Sequence, residues 1–234
     1  ILYSGHLPRF QKSDFKMKYL DNVGFDWPFE YKDLKPFYET NDKIMGVAGL
    51  SGDPAYPDIK DLLPPVDIEK SGEKIAKAFN KLGWHWWPSY SGIATKSYKG
   101  REKNSKSDVN QTYLPKAISN GVIIKPNCRV KKIKLDKDGL VKGVIYNDSR
   151  NIEKFQSASL VIVACSGVGT PRLLLNSANK RFPNGLANSS GLVGKNLMLH
   201  PLGFVEGKFK KNLDSSKGPQ GCCIYSQEFY RSIK

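Results

Sequence analysis

The residues best suited to ligand chemistry are Cys165-Ser166-Gly167-Val168-Gly169-Thr170, because they follow a continuous apolar run, Leu160-Val161-Ile162-Val163-Ala164. Such a run reads as a strand buried on both faces of a parallel sheet. Small residues after it let the backbone approach a ligand closely. Thr170 and Pro171 then predict a helix start, with Thr170 as cap and Pro171 at the first helical position. Strand, small-residue turn and helix N-terminus together make a corner suited to a phosphate or nucleotide. Tight packing of strand on helix explains the same glycines equally well. A self-sufficient nicotinamide site is not expected. The third glycine of that fingerprint is replaced by Arg172, and no Asp or Glu occurs from Phe155 through Val205 to hold a ribose hydroxyl.

Other chemistry-bearing residues are dispersed. Trp84, Trp86 and Trp87 surround His85, which suits either a sugar-stacking platform or packing beneath a loop. Cys128, Cys165, Cys222 and Cys223 form no CxxC pair, adjacent Cys222 and Cys223 do not bridge without strain, and His6, His85 and His200 are far apart. Neither a structural metal nor a disulfide framework is expected. The net charge of +15 comes almost entirely from Lys spread through every segment. The densest clusters, Lys131-Lys132-Lys134 and Lys208-Lys210-Lys211, fall where strands show a solvent face. A nucleic-acid module would concentrate its cations in one groove, so a solvated Lys-rich surface is the expectation and nucleic acid is not an expected partner. The longest apolar run is strand-sized, so no membrane span is expected.

These residues must be carried by recognisable elements. Tyr31 to Met45 predicts a helix with Leu34, Phe37, Tyr38 and Ile44 on one face and Pro36 in its first turn. Gly46 to Pro65 is a Gly- and Pro-rich loop long enough to cover or bind something. Asp67 to Leu82 is an amphipathic helix with Ile68, Ile75, Ala76, Phe79 and Leu82 on its stripe, Asp67 capping it and Gly83 ending it. Gln111 to Asn120 predicts a further helix, and Val122-Ile123-Ile124 a short strand. Arg129 to Leu135 and Leu140 to Tyr146 predict a hairpin about Asp136-Lys137-Asp138-Gly139.

Val161 through Ser177, with its apolar strand, small-residue turn, Thr170-Pro171 and aliphatic run, resembles the second signature of the glucose–methanol–choline oxidoreductases. Ser166 stands where the common form has Gly, and Ala178 replaces the signature's final Gly. These departures point to a bacterial dehydrogenase-like branch. Phe182 through Pro201 is similar to the family's following stretch. Asp26-Trp27-Pro28 through Pro36-Phe37-Tyr38, preceded by Arg9-Phe10 and Asp14-Phe15, is similar to a segment upstream.

The resemblance implies an α/β chain (α+β overall): part of an FAD-binding Rossmann-like domain and part of a substrate-binding domain. Residues 1–107 would be a substrate-side segment, 108–200 part of the FAD domain, and 201–234 the start of a substrate sheet. It implies FAD as cofactor, with Val130 meeting the adenine through its backbone. Cys165, Ser166 and Gly167 would line the cofactor, Thr170 would stand at the helix N-terminus, and Asn196 would lie in a segment returning towards the flavin. The intact protein would oxidise a CH–OH group of an alcohol, sugar or polyol. An electron-transfer subunit is a further partner of this reading. The family's GxGxxG loop and its C-terminal catalytic His pair are not among these residues. The expectation is therefore an internal piece, inactive alone, with no catalytic residue; His200 is not expected to be the base. The alternatives are a non-catalytic remnant and a Lys-rich nucleic-acid-binding module.

Overall fold

The computed structural model describes residues 5–199, 201–214 and 223–230. The chain divides into two compact units, one of residues 1–122 with 207–234 and one of residues 123–206. Helices are mixed with antiparallel sheets, which is compatible with the expected α/β (α+β overall) class. Among the described residues no helix is long and apolar enough to cross a membrane.

The first unit begins with a 3-10 turn, Lys12–Lys16, and the short helix α1, Met17–Asp21. Helix α2 spans Tyr31–Met45, the predicted range, and ends on Gly46 in the left-handed region. Pro36 is its sixth residue, not part of its first turn, because the start is set by Asp33, whose carboxylate accepts the Glu30 amide at 2.8 Å. Phe37, expected on the apolar face, is exposed, while Tyr31, Asp42 and Met45 are buried. Asp42 is buried because Arg9 meets it at 2.6 Å, and Arg9 also donates to the Tyr31 hydroxyl at 3.1 Å. An ion pair is tolerated away from water only when its remaining donors are satisfied in this way.

Helix α3 is Glu69–Leu82 and ends, as predicted, on Gly83. It starts two residues later than expected, and Asp67 accepts the Glu69 amide at 2.9 Å from outside the helix. Its buried stripe is Gly72 and Ala76, one turn apart, whereas Ile75 and Leu82 face out. Strand β1 is Trp87–Pro88. The Gly- and Pro-rich loop proves to be a core element: Val47, Tyr56 and Ile59 pack with Met45 and Tyr90.

The helix expected over 111–120 is two, α4 (Val109–Thr112) and α5 (Leu114–Ser119). Pro115 has no N–H to offer the carbonyl four residues back, so the first helix stops and a second begins around it. Asp108 caps α4 through the Gln111 amide.

The second unit is a three-stranded antiparallel meander with one helix packed on it. Strands β2 (Arg129–Leu135) and β3 (Val141–Asn147) form the predicted hairpin, and β4 (Glu153–Ser157) adds to β3. At Gly143 the partner strand comes so close that a Cβ would lie 2.1 Å from the Gln156 carbonyl oxygen. Helix α6 (Ser166–Asn176) lays Leu173 against Ile133 and Leu186, with Val161 and Val163 beside them.

Two predicted strands are corrected. Val122–Ile124 and Leu160–Ala164 carry no strand assignment, and Ile123 and Ile162 are each 83% exposed. A strand exists only with a ladder partner, and among the described residues these segments have none. Val161 and Val163 turn inward and Leu160 and Ile162 outward, so the segment keeps the alternation of a sheet element without its sheet. A small two-stranded pairing closes the first unit: β1 runs antiparallel to β5 (Ile224–Tyr225), with Trp87 opposite Tyr225.

Candidate functional site

The site in the second unit is built at the junction of β2 and α6. An open cavity of about 950 Å³ is lined from β2 by Arg129, Val130 and Lys132 and from α6 by Gly169, Arg172 and Leu173, with Cys128 and Cys165 at its sides. Two of the six residues singled out in the sequence, Val130 and Cys165, therefore face one space although 35 positions separate them. Val130 pairs with Tyr146, and the ladder shifts register between Val130 and Lys132, leaving Lys131 as an extra residue. Such a bulge re-aims neighbouring groups. Strand β2 is at a sheet edge, so the backbone side turned away from β3 is not used by the ladder.

The turn into α6 differs from the predicted one. Thr170 is not the cap: the helix starts at Ser166 and Cys165 is its N-terminal boundary. The Thr170 hydroxyl instead accepts the Cys165 amide at 3.1 Å, satisfying a donor that the first turn leaves open. Pro171 sits inside the helix, so the Gly167 carbonyl lacks its usual donor four residues on. Ser166 has φ 63°, a left-handed conformation that glycine adopts without cost and serine does not.

The two glycines of the turn answer to different neighbours. A Cβ on Gly169 would lie 3.0 Å from the Cys165 Cβ, so Gly169 is small because the turn folds on itself. A Cβ on Gly167 would meet only Leu197 Cδ1, at 4.0 Å. Among the described residues, then, strand–helix packing does not account for a glycine at 167. Ser166, Gly167, Thr170 and Asn196 are not among the residues that line the cavity. Asn196 is exposed with φ 57°, in an irregular stretch that passes Gly167 through Leu197. His200 lies outside the described residues.

Charge on the cavity rim is mostly positive. Lys131 is paired with Glu153 at 2.9 Å, and Oδ1 of Asp148 accepts the Arg150 and Ile152 amides. Arg129, Lys132 and Arg172 are left to face an anion.

The first unit holds a separate polar cluster that the sequence did not announce. The His85 ring nitrogen Nε2 lies 2.9 Å from Asp53, and its Nδ1 accepts the Gln227 amide at 3.0 Å. That acceptor role places the ring proton on Nε2, where it donates to Asp53. Tyr225 donates to the other Asp53 oxygen, and Glu228 accepts the His85 amide at 2.6 Å. Burial raises the Tyr225 hydroxyl well above its ordinary value, and Asp53 adds to the rise. Burial pushes Tyr90 up to about 12. The partners of His85 lie 32 and 142 residues away, and no local spacing encodes them. Trp84, Trp86 and Trp87 do not form a platform: Trp84 packs edge-on against Phe229, Trp86 donates to Asn80, and Trp87 donates to the Leu50 carbonyl beside the core.

A meander, a small-residue turn into a helix and the cavity between them make one concave site, and comparison with known proteins gives the family. The family described as GMC oxidoreductase matches residues 67–202. The chain belongs to the glucose–methanol–choline oxidoreductases. It is 40% identical to the 2-methyl-1,2-propanediol dehydrogenase of Mycolicibacterium austroafricanum, over 98% of this chain and 45% of that protein. It is 29% identical to the fructose dehydrogenase large subunit of Gluconobacter japonicus, over 82% and 38%. It is 28% identical to the paromamine 6'-oxidase of Streptomyces fradiae, over 88% and 41%. The chain thus spans less than half the length of these relatives.

Proposed function

We propose that this chain forms part of an FAD-dependent oxidoreductase acting on a CH–OH group of a small alcohol, polyol or sugar. The observation that carries the reading is the shared cavity of Val130 and Cys165 beside a glycine that no described neighbour requires to be small. A space of this size lies within the usual range for a cofactor site, roughly 300–1,000 Å³, and its cationic rim suits phosphate.

In this reading Val130 holds the adenine end through its backbone, Cys165, Ser166 and Gly167 hold the cofactor at the turn, and Asn196 belongs to the returning segment. Bound FAD supplies the hydride acceptor. The chain's own residues bind and orient it and contribute no acid or base to the reaction. Residues 108–200 belong to the FAD side, and 1–107 and 201–234 to the substrate side. The activities named for the relatives support a small-molecule alcohol, polyol or sugar as substrate class, and the large-subunit relative supports an electron-transfer partner. By itself the chain would not turn over.

The test is purification of the full-length protein, followed by anaerobic addition of 1,2-diols and ketoses. Visible flavin absorbance that bleaches on substrate addition supports the reading. A colourless protein that takes up no added FAD would overturn it.

A further inference from the structure

A second concavity in the 123–206 unit lies on the far stretch of β2, away from Val130. It encloses about 420 Å³ and is walled by Lys132, Lys134 and Lys137 from β2 and its turn, and by Lys180 and Arg181 from the loop after α6. The one acidic residue in its wall is Asp136, whose Oδ1 accepts the amides of Asp138 and Leu140, each at 2.9 Å, so that one negative charge stands against five positive ones. Among the described residues none of the five cations is in an ion pair.

Arg181 is not a loose surface side chain. Its Nη1 donates to the Asp138 carbonyl at 2.6 Å, and its guanidinium lies against Gly139, where a Cβ would come within 3.0 Å. The loop that carries it is fixed by Asn179, whose side chain accepts the Arg181 and Phe182 amides at 3.0 Å. Lys134 extends over the ring of Phe155, 5.7 Å from its centre. Lys132 and Lys134 are two residues apart on one strand and so present their charges on one face, roughly 6.7 Å apart. An extended chain spaces alternate side chains by the same distance. A fixed guanidinium adds directional recognition of carboxylate that a lysine does not.

We propose that this concavity docks a short, extended acidic segment of a partner protein, its alternate carboxylates meeting Lys132 and Lys134 and its end meeting Arg181. The site shares Lys132 with the cavity of the flavin reading, but its assay uses neither flavin nor turnover and its variants leave Lys132 in place.

The experiment measures binding of fluorescein-labelled hexaglutamate to the full-length protein as a function of salt. Replacing Lys134, Lys137 and Lys180 together by Gln is expected to weaken binding by about tenfold or more with the melting temperature unchanged, and Arg181→Lys to weaken it several-fold. The control replaces Lys74, Lys77 and Lys81 of α3 by Gln and is expected to leave affinity within about twofold. No binding at low salt, or an equal loss in the control, overturns the proposal by reducing the effect to net charge. Tighter binding of inorganic pyrophosphate or oligothymidylate that depends on the same residues overturns it in favour of a different anion.

Discussion

The buried hydroxyl of Ser177 accepts the backbone amide of Ile133 at 2.9 Å and donates to the Leu173 carbonyl at 2.7 Å. One side chain thus satisfies the outer edge of β2 and closes the last turn of α6, joining two elements whose partnered groups are 44 residues apart. This contact sets the spacing of the strand and helix that wall the Val130–Cys165 cavity.

Ser177→Ala leaves the Ile133 amide buried without an acceptor. The full-length protein is expected to lose about 1–3 kcal/mol of unfolding free energy, the range for an orphaned buried donor. Urea unfolding of the flavin-free form measures it. A loss under about 0.5 kcal/mol, the range typical of neutral surface changes, would mean that water or a shifted backbone replaces the hydroxyl.

Ser166 occupies a left-handed position where the family's common form has glycine. The left-handed conformation costs an L-residue roughly 1–2 kcal/mol, and glycine's larger unfolded-state entropy offsets about 0.5–1 kcal/mol of what it would relieve. Ser166→Gly is therefore expected to stabilise by roughly 0.5–1 kcal/mol, the difference of these terms. Ser166→Val, with a branched Cβ in the same conformation, is expected to destabilise by more than that. Thermal unfolding that ranks Val above Gly would contradict the assigned backbone.

His6 gives a pH dependence. Its Nδ1 lies 2.7 Å from the Ser89 hydroxyl, and burial lowers its pKa below the ordinary value of 6.5. The unfolded chain then binds a proton that the folded chain refuses, over the interval below 6.5. Stability is retained above that pH and declines as pH falls towards the folded value. Comparing wild type and His6→Gln by denaturant unfolding between pH 7 and pH 5, the variant is expected to show a shallower decline. Parallel slopes would assign the acid sensitivity to other groups.

What the sequence made legible were elements whose signals are local. Helix α2 matched end to end, α3 stopped on Gly83, and the hairpin turned at Asp136–Gly139, each from caps and turn residues within a few positions. The errors share a cause. Thr170-Pro171 predicts a helix start, yet α6 begins more than a turn earlier at Ser166, with Thr170 accepting the Cys165 amide, and Pro36, expected in the first turn of α2, is its sixth residue. The apolar runs at 122–124 and 160–164 were read as strands, but a strand's hydrogen bonds belong partly to its neighbour. The cavity residues Val130 and Cys165 came from resemblance, not from spacing. The Asp53–His85–Tyr225 cluster has no local signal, because it is assembled from two loops and a two-residue strand.

Gly167 separates packing from ligand approach. Among the described residues a side chain there has room, since only Leu197 comes within 4.0 Å. If the glycine is kept for the chain's own fold, Gly167→Val should destabilise the flavin-free protein by well over a kilocalorie. If it is kept so that a cofactor can approach the backbone, the flavin-free variant should unfold within about 0.5 kcal/mol of wild type. Its flavin content should then fall by about tenfold, a loss of roughly 1.4 kcal/mol in binding. We expect the second pattern. Unfolding by urea and flavin absorbance per polypeptide read the two quantities separately. Unchanged stability with unchanged flavin content would remove the turn at 165–167 from the cofactor site and leave Val130 to carry it alone.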